Sequence, residues 1–338
     1  MQPESVGQLV ELVQSSTALT VHSRRTDTGT VVDLSGFNRV LDYPVADMTI
    51  TVESGITVAA MQAALAKHSQ HLPIDVADPQ HTTIGDAVAW DLSGSRRFGY
   101  GTFRDYVIGI TAVDGRGRVF KSGGRVVKNV AGYDLCKLMI GSHGTLGIIT
   151  KLTFKVLPQP AMIAGVGYEF DSLSAIEPVL EAMTTSSTRP IAKDVFSSGG
   201  RHVLMLLFDG SEAEVRWQLS ELEREVTGGT RRPIEEREVL AVLQNCELGE
   251  PGANRFVAGL QPSAVIQFLQ QAGCSKSLAR AGNGIVVGIT DSMHAVRSMA
   301  EGLGGWCRSN TSEGQSFSYM DGLSGKVKAV FDPDGRFG

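Results

Sequence analysis

Between Gly123 and Thr150 the chain reads GGRVVKNVAGYDLCKLMIGSHGTLGIIT, and no other run constrains the fold as much. A short helical pattern, Val130 to Ile140, stops at Gly141. A second glycine turn then leads into a strand, Leu146 to Leu157, with Ile148, Leu152, Phe154 and Val156 on one face and Lys151, Thr153 and Lys155 on the other. Any one of these glycines can serve a tight turn. A cluster of them beside a helix and a strand means that backbone must come close to something. Free N–H groups at such loops suit a large, flat, anionic ligand with phosphate and ring carbonyl oxygens.

The rest of the first half reads as mixed α and β. A helix is expected over Ser5 to Ser16, then two short strands, Ala18 to Ser23 and Thr30 to Leu34, joined by Arg24 to Gly29. Asp47 to Glu53 alternates as a strand, and Thr57 fits as the N-cap of a helix carrying Val58, Met61 and Leu65. Leu72 to Arg104 is dominated by turn formers and small residues, which makes it a functional loop region rather than a spacer. Asp114-Gly115-Arg116-Gly117 between Val107–Val113 and Arg118–Lys121 predicts a hairpin. Past Pro158 and Pro160 a new pattern begins: strands Met162 to Phe170, His202 to Asp209, Phe256 to Leu260 and Gly284 to Ile289, with helices Ser172 to Ser186, Ser211 to Val226 and Ser263 to Ala272. That order predicts an antiparallel sheet with helices on one face, and the tail FDPDGRFG reads as turn.

Several function classes drop out. A net charge of -5 over 338 residues argues against a general nucleic-acid binder. Cys136, Cys246, Cys274 and Cys307 lack pair spacing, which disfavours zinc, iron–sulfur ligation and a disulfide framework and points to a reducing cytoplasm. The start MQPESVGQLV does not read as a secretory signal, and no run is apolar enough to insert in a membrane, so a membrane is reached only through partners. The glycine segments match neither a Walker loop nor the strand–GxGxxG–helix context of a nicotinamide site, and GxSxG and HExxH are missing.

The run KNVAGYDLCKLMIGSHGTLGIIT, preceded by SGSRRFGYGTFRDYVIG and ADMTITVESGIT, resembles the FAD-binding domain of the vanillyl-alcohol-oxidase, or PCMH-type, flavoprotein superfamily. Within it the chain is most similar to the FAD-binding E subunits of glycolate oxidases. The resemblance holds over about Asp47 to Pro160, and the ending AVFDPDGRFG is also similar. It implies an α+β fold, with a PCMH-type FAD-binding domain of two α+β subdomains over residues 1–158. A smaller, divergent α+β cap domain of FAD-linked oxidase type would follow over 159–338. It also implies FAD, bound noncovalently because the shortened loop Arg24 to Gly29 holds no histidine or cysteine. Thr83, Gly85, Ser93 and Gly94 would approach the pyrophosphate and ribityl chain, and Gly99, Tyr100 and Gly101 would sit near the flavin. Gly144, Thr145, Gly147, Ile148 and Ile149 would offer backbone to the adenine half and adjoining phosphates.

Departures from the family pattern matter as much. Where the family has a glycine-rich pyrophosphate loop, this chain has only Arg24 to Gly29. Asp86 stands where a second glycine is usual, Asp91 where asparagine is frequent and Ser95 where proline is. A carboxylate close to a diphosphate repels it, and Arg24, Arg25, Arg96 and Arg97 are the cations that could offset this. The resemblance places catalytic histidines in the cap half, but that half has only His202 and His294, and Ala279 to Gly284 resembles the relatives' histidine strand without its histidines. No catalytic base or metal ligand emerges. Three readings stand: an FAD-binding subunit working beside a catalytic flavoprotein subunit and an iron–sulfur subunit of a glycolate oxidase-like complex; a flavin-free interaction subunit of the same complex; or an independent FAD-dependent alcohol or hydroxy-acid oxidase.

Overall fold

The alternating strands of the first half pair into one antiparallel sheet, ordered Val40–Asp42, Thr49–Glu53, Ile148–Lys155, Val107–Val113 and Val119–Gly123. The computed structural model describes residues 1–20, 30–124, 134–249, 252–309 and 322–337. The expected helix and hairpin starts are present. Ser5 and Thr57 accept hydrogen bonds from the Gln8 and Ala60 amides at their helix starts. Asp114 closes the hairpin by accepting from the Arg116 and Arg118 amides at 3.0 and 2.9 Å. The Arg24–Gly29 loop and most of the Lys128–Asp134 segment lie outside the described residues, and of the helix expected over Val130 to Ile140 the described part is Leu135–Met139.

This first unit comprises Met1–Ser93, Thr102–Gln159 and Ser316–Gly338. It holds two cores. The larger gathers Ile50, Val52, Met61, Leu65, Leu152 and Phe154 beneath the sheet. The smaller gathers Leu9, Val13, Leu19, Val32, Val113, Ile148 and Phe337. Leu19–Thr20 runs parallel to Thr30–Val31, and Phe337 adds a parallel bridge to Leu19.

The second unit, Gly94–Gly101 with Pro160–Gln315, is built on an eight-stranded antiparallel sheet. Its order is Thr230–Ile234, Met162–Phe170, Arg201–Gly210, Ala192–Ser198, Cys274–Arg280, Ile285–Thr290, Arg255–Gly259, Trp306–Ser309. Every residue from Val203 to Phe208 is buried, so both faces of this strand are covered. Leu204, Leu206 and Phe208 share a core with helices Leu173–Ala182, Glu212–Glu225, Val265–Gln271 and Met293–Gly302. Val203, Met205 and Leu207 lie outside that cluster, as do the buried Val239, Leu243 and Cys246 of the helix Glu236–Glu247. The expectation of helices on one face is corrected by this helix, which packs against strands of the same sheet apart from the others.

Three further expectations change. The 72–104 region is not continuously irregular: it forms helices at Ile84–Ala89 and Arg97–Tyr100, and Phe103–Tyr106 follows at its end. The tail keeps a turn at 333–334 and gains a bridge from Phe337, 1% exposed, to Leu19, while the helix Leu323–Phe331 ahead of it was not expected. Strands such as Cys274–Arg280 (CSKSLAR) were not anticipated, since pairing with neighbours on both sides, rather than local propensity, holds them.

Candidate functional site

The site of the first unit grows from a tight crossing at the end of the Thr49–Glu53 strand. Gly55 makes the crossing possible, since a Cβ there would lie 1.9 Å from the Leu34 carbonyl oxygen. The Gly55 amide donates to Phe37 O at 2.7 Å and the Ser54 amide to Thr150 O at 3.0 Å. On the other side the Gly85 amide donates to Ser54 O at 2.7 Å, and a Cβ on Gly85 would come within 2.8 Å of Ser54 Cβ. Three backbone segments thus meet around Ser54.

They enclose a cavity of about 300 Å³, lined among others by Asp33, Ser54, Thr83, Gly85, Asp86 and Gly147. Of the residues proposed from sequence, it brings together Thr83, Gly85, Gly147 and Ile149. Gly144, Thr145 and Ile148 lie on the same buried turn-and-strand segment, but the Ile148 side chain belongs to the small core and leaves only its backbone for a ligand. The turn rests on the Ile84–Ala89 helix through Gly141 N to Val88 O, 3.1 Å, and His143 N to Ala89 O, 2.8 Å. His143 takes a left-handed conformation, φ 54°, and packs its ring edge-on to Trp90 at 4.5 Å, a structural placement. Ser93 is buried in the first unit, with its hydroxyl on Asp91 O at 3.3 Å.

Gly94, Gly99, Tyr100 and Gly101 belong to the second unit. There the Gly99 amide donates to Ile191 O at 3.0 Å, and a Cβ on Gly99 would lie 2.7 Å from Ile191 Cα. The Tyr100 hydroxyl donates to Asp209. Arg96 is paired with Glu236 at 3.1 Å and is 9% exposed, so it is engaged by a carboxylate of its own unit. Arg24 and Arg25 lie outside the described residues.

Sequence reasoning passed over Ser54, Asp33 and His81 as cavity residues, and over the anchor behind the glycine turn. The signal for Ser54 was a Glu-Ser-Gly step directly after an alternating strand. Arg39 holds the preceding Glu53 through Nε and Nη2 at 3.1 and 2.7 Å and keeps its carboxyl below the ordinary range. The anchor is Lys328, whose ammonium donates to Thr145 O at 3.0 Å, to the Asp332 carboxylate and to Phe337 O. Asp332, 2% exposed, also accepts from the amides of Arg336 and Phe337 at 2.9 and 2.8 Å.

The cavity fits a polar ligand on one count and resists an anionic one on another. The Ser54 hydroxyl is buried without a hydrogen-bond partner among the described residues, a group that a ligand oxygen would satisfy. Gly85 and Gly147 bring the backbone close; at Gly147, φ 158°, a Cβ would meet Val113 O at 2.8 Å. Against this, Asp86 lines the same space and is 8% exposed. A dinucleotide therefore fits if its hydroxyl-bearing part, rather than its charge, faces Asp86. His81 is the lining residue with a ring nitrogen, and its Nδ1 is held by Asp78 at 3.0 Å.

Residues 6–123 match the family model of an FAD binding domain. Among curated proteins the chain is 36% identical over 158 residues to glycolate oxidase subunit GlcE of Escherichia coli K12, covering 46% of this chain and 44% of that one. It is 36% identical over 135 residues to glycolate oxidase subunit GlcD of Bacillus subtilis 168, 40% of this chain and 29% of that one. A D-lactate dehydrogenase of Anaerostipes hadrus is 35% identical over 145 residues, 43% and 30% of the two chains. The matches thus span less than half of these relatives' length. Among solved structures, alkyldihydroxyacetonephosphate synthase superposes with a TM-score of 0.72 at 16% identity, covering 99% of this chain and 75% of that one. That likeness establishes an α+β fold shared with this synthase. Among the described residues no helix is long and apolar enough to cross a membrane, and no cluster of His, Cys, Asp or Glu could hold a metal.

Proposed function

We propose that this chain, whose first unit carries an FAD binding domain, is the FAD-binding subunit of a 2-hydroxy-acid dehydrogenase of the glycolate oxidase type. It works beside a catalytic flavoprotein subunit and an iron–sulfur subunit, relaying electrons or supporting assembly. The observation that carries the reading is the cavity around Ser54, built from Thr83, Gly85 and Gly147, in a chain whose residues 6–123 match an FAD-binding family. FAD, when bound, supplies the two-electron acceptor that hydroxy-acid oxidation needs.

The chain's own residues bind and orient. The Gly85 amide is spent on Ser54 O, so Gly85 contributes closeness rather than a donor. The Thr83 hydroxyl accepts from the Asp86 amide at 3.1 Å, which fixes the helix start that borders the cavity. Ser54 offers its free hydroxyl to a ligand oxygen. Gly144, φ 75°, and Gly147 set the turn whose Thr145 carbonyl Lys328 holds from behind. Binding is noncovalent in this reading. Cys136, 3% exposed, donates to Ser122 O and is no attachment point, since burial pushes its thiol pKa up.

A second reading draws on Asp86. A buried carboxylate against a diphosphate fits a chain that has lost its flavin and persists as an interaction subunit. A self-sufficient oxidase is the third, separated from the others by turnover of the isolated chain with a soluble electron acceptor.

The deciding experiment is the visible spectrum of the purified protein, with FAD quantified after denaturation. Near-stoichiometric FAD released into solution supports the leading reading. Flavin that stays with the denatured chain contradicts noncovalent binding. No flavin, even after incubation with excess FAD, leaves the interaction subunit.

A further inference from the structure

The helix Glu236–Glu247 packs on the second sheet apart from the four helices that share the main core, and charge does much of the holding. Its buried side chains are Val239, Leu243 and Cys246, and its N-cap, Glu235, makes no side-chain hydrogen bond to the first turn. Arginines grip it from several elements. Arg232 Nη1 donates to Glu238 Oε2 at 3.0 Å, and Arg280 pairs with Glu247. Arg96 pairs with Glu236 at 3.1 Å, and Arg255 donates to Leu248 O, just past the last turn, at 2.7 Å.

Strand register explains two of these grips. Arg280 stands opposite Asp194, Asp194 opposite Met205, Met205 opposite Gly167 and Gly167 opposite Arg232, so the five form one row across five neighbouring strands. Residues directly opposite in antiparallel pairs share a face of the sheet. Four strand spacings make the row about 19 Å long. From Glu238 to Glu247 the helix rises about 13 Å, and the long arginine and glutamate side chains supply the rest. The helix therefore bridges the row and is pinned at both ends. Beneath it two charges are kept from water: Arg280 is 3% exposed and Asp194 is 1% exposed.

We propose that Glu236–Glu247 is a latch, lifting from the sheet as one unit while the sheet stays folded and uncovering the row from Arg280 to Arg232. Two features make lifting cheaper here than for a helix seated on a wholly apolar face. Only three of its side chains are buried, whereas the other four helices close over the main core. In return Arg280, Asp194 and the helix carboxylates regain the hydration that buried charges lack. Opening of this kind is local unfolding, which needs less free energy than unfolding the whole protein. Lifted, the helix takes Glu238 and Glu247 with it. The row is then left with Arg232 and Arg280 against Asp194, and a covered face becomes an open, net cationic one.

Cys246 reads the motion. It is 1% exposed, and burial pushes its thiol up to about 12, so the closed helix barely reacts and labelling reports the open one. The test is iodoacetamide labelling of the native full-length protein, with the rate at each cysteine followed by peptide mass. Cys246 should label faster than Cys136 and Cys307, which are 3% and 8% exposed, the reverse of their order of exposure. Glu238→Gln should speed Cys246 by up to about fivefold. Glu247→Gln should speed it by about tenfold or more, because Arg280 loses its carboxylate. Cys136 and Cys307 should keep their rates in both variants. If Glu247→Gln fails to fold, Glu238→Gln decides. Cys246 labelling no faster than Cys307 overturns the latch, and so does an unchanged Cys246 rate in Glu238→Gln. Equal acceleration of all three cysteines also overturns it, since the protein then opens as a whole.

Discussion

At the scale of single residues, the cavity depends on what is missing. Gly85 faces the Ser54 backbone so closely that a methyl group would collide, and Gly85→Ala should destabilise the fold by about 1 to 3 kcal/mol. Thermal denaturation checks this; an unchanged midpoint would mean that the helix Ile84–Ala89 can shift without loss. Glu53 gives a second prediction. Arg39 keeps its folded pKa below the unfolded value, so its contribution is present above the ordinary carboxylate range and disappears as pH falls through the lowered pKa. Melting temperatures across an acid series should therefore fall less steeply in Glu53→Gln than in the wild type. The glycines were legible in sequence because only glycine tolerates such approaches in number. Ser54 was not, since a serine reads alike whether solvated or buried without a partner, and only the crossing at Gly55 distinguishes the two.

At the scale of elements, the helix Leu323–Phe331 and the residues after it act as a clasp. The Asp332 side chain is fully buried and takes the Lys328 ammonium, which also holds the Thr145 carbonyl behind the glycine turn. Breaking a buried pair by removing one partner costs about 3 to 5 kcal/mol, so Lys328→Met should lower the unfolding free energy from urea titration by a comparable amount. It should also weaken FAD in a fluorescence titration, since the turn loses its support; FAD binding as tight as in the wild type would separate the clasp from the site. Gly115 belongs to this clasp, for a Cβ there would lie 2.3 Å from Asp332 Oδ1. The hairpin around Gly115 was plain from its Asp-Gly-Arg-Gly step. The clasp was hidden because its partners lie far apart in the chain, and local pattern carries no trace of them. Several strands of the second sheet escaped for a related reason: their residues gain strand character from neighbours on both sides.

At the scale of the whole molecule, the two units do not divide the chain at one point. Gln159 and Pro160 fall in different units, Gly94–Gly101 leaves the first half to join the second unit, and Ser316–Gly338 returns to the first. Short excursions like these have no composition shift to announce them. A fragment of residues 160–315 therefore lacks the strip that binds Ile191 and Asp209, and the prediction is concrete. By calorimetry the fragment should melt below the second unit's transition in the full chain, by an amount reflecting about 1 kcal/mol for each hydrogen bond lost. Coincident transitions would show that the strip adds nothing to that unit.

Phe337 shares its small core with Leu9, Val13 and Leu19, and this sets a timetable for synthesis. Domains made on the ribosome usually fold as they emerge, N-terminal first. Here the helix Val6–Ser15 waits for a side chain translated more than three hundred residues later, so the first unit stays unfinished until Phe337 has emerged. A nascent chain of this kind exposes an apolar groove for almost the whole of its translation, and chaperones would meet it there. A product cut off before Phe337 would be recognisable to quality control by the unfinished packing of Leu9, Val13 and Leu19.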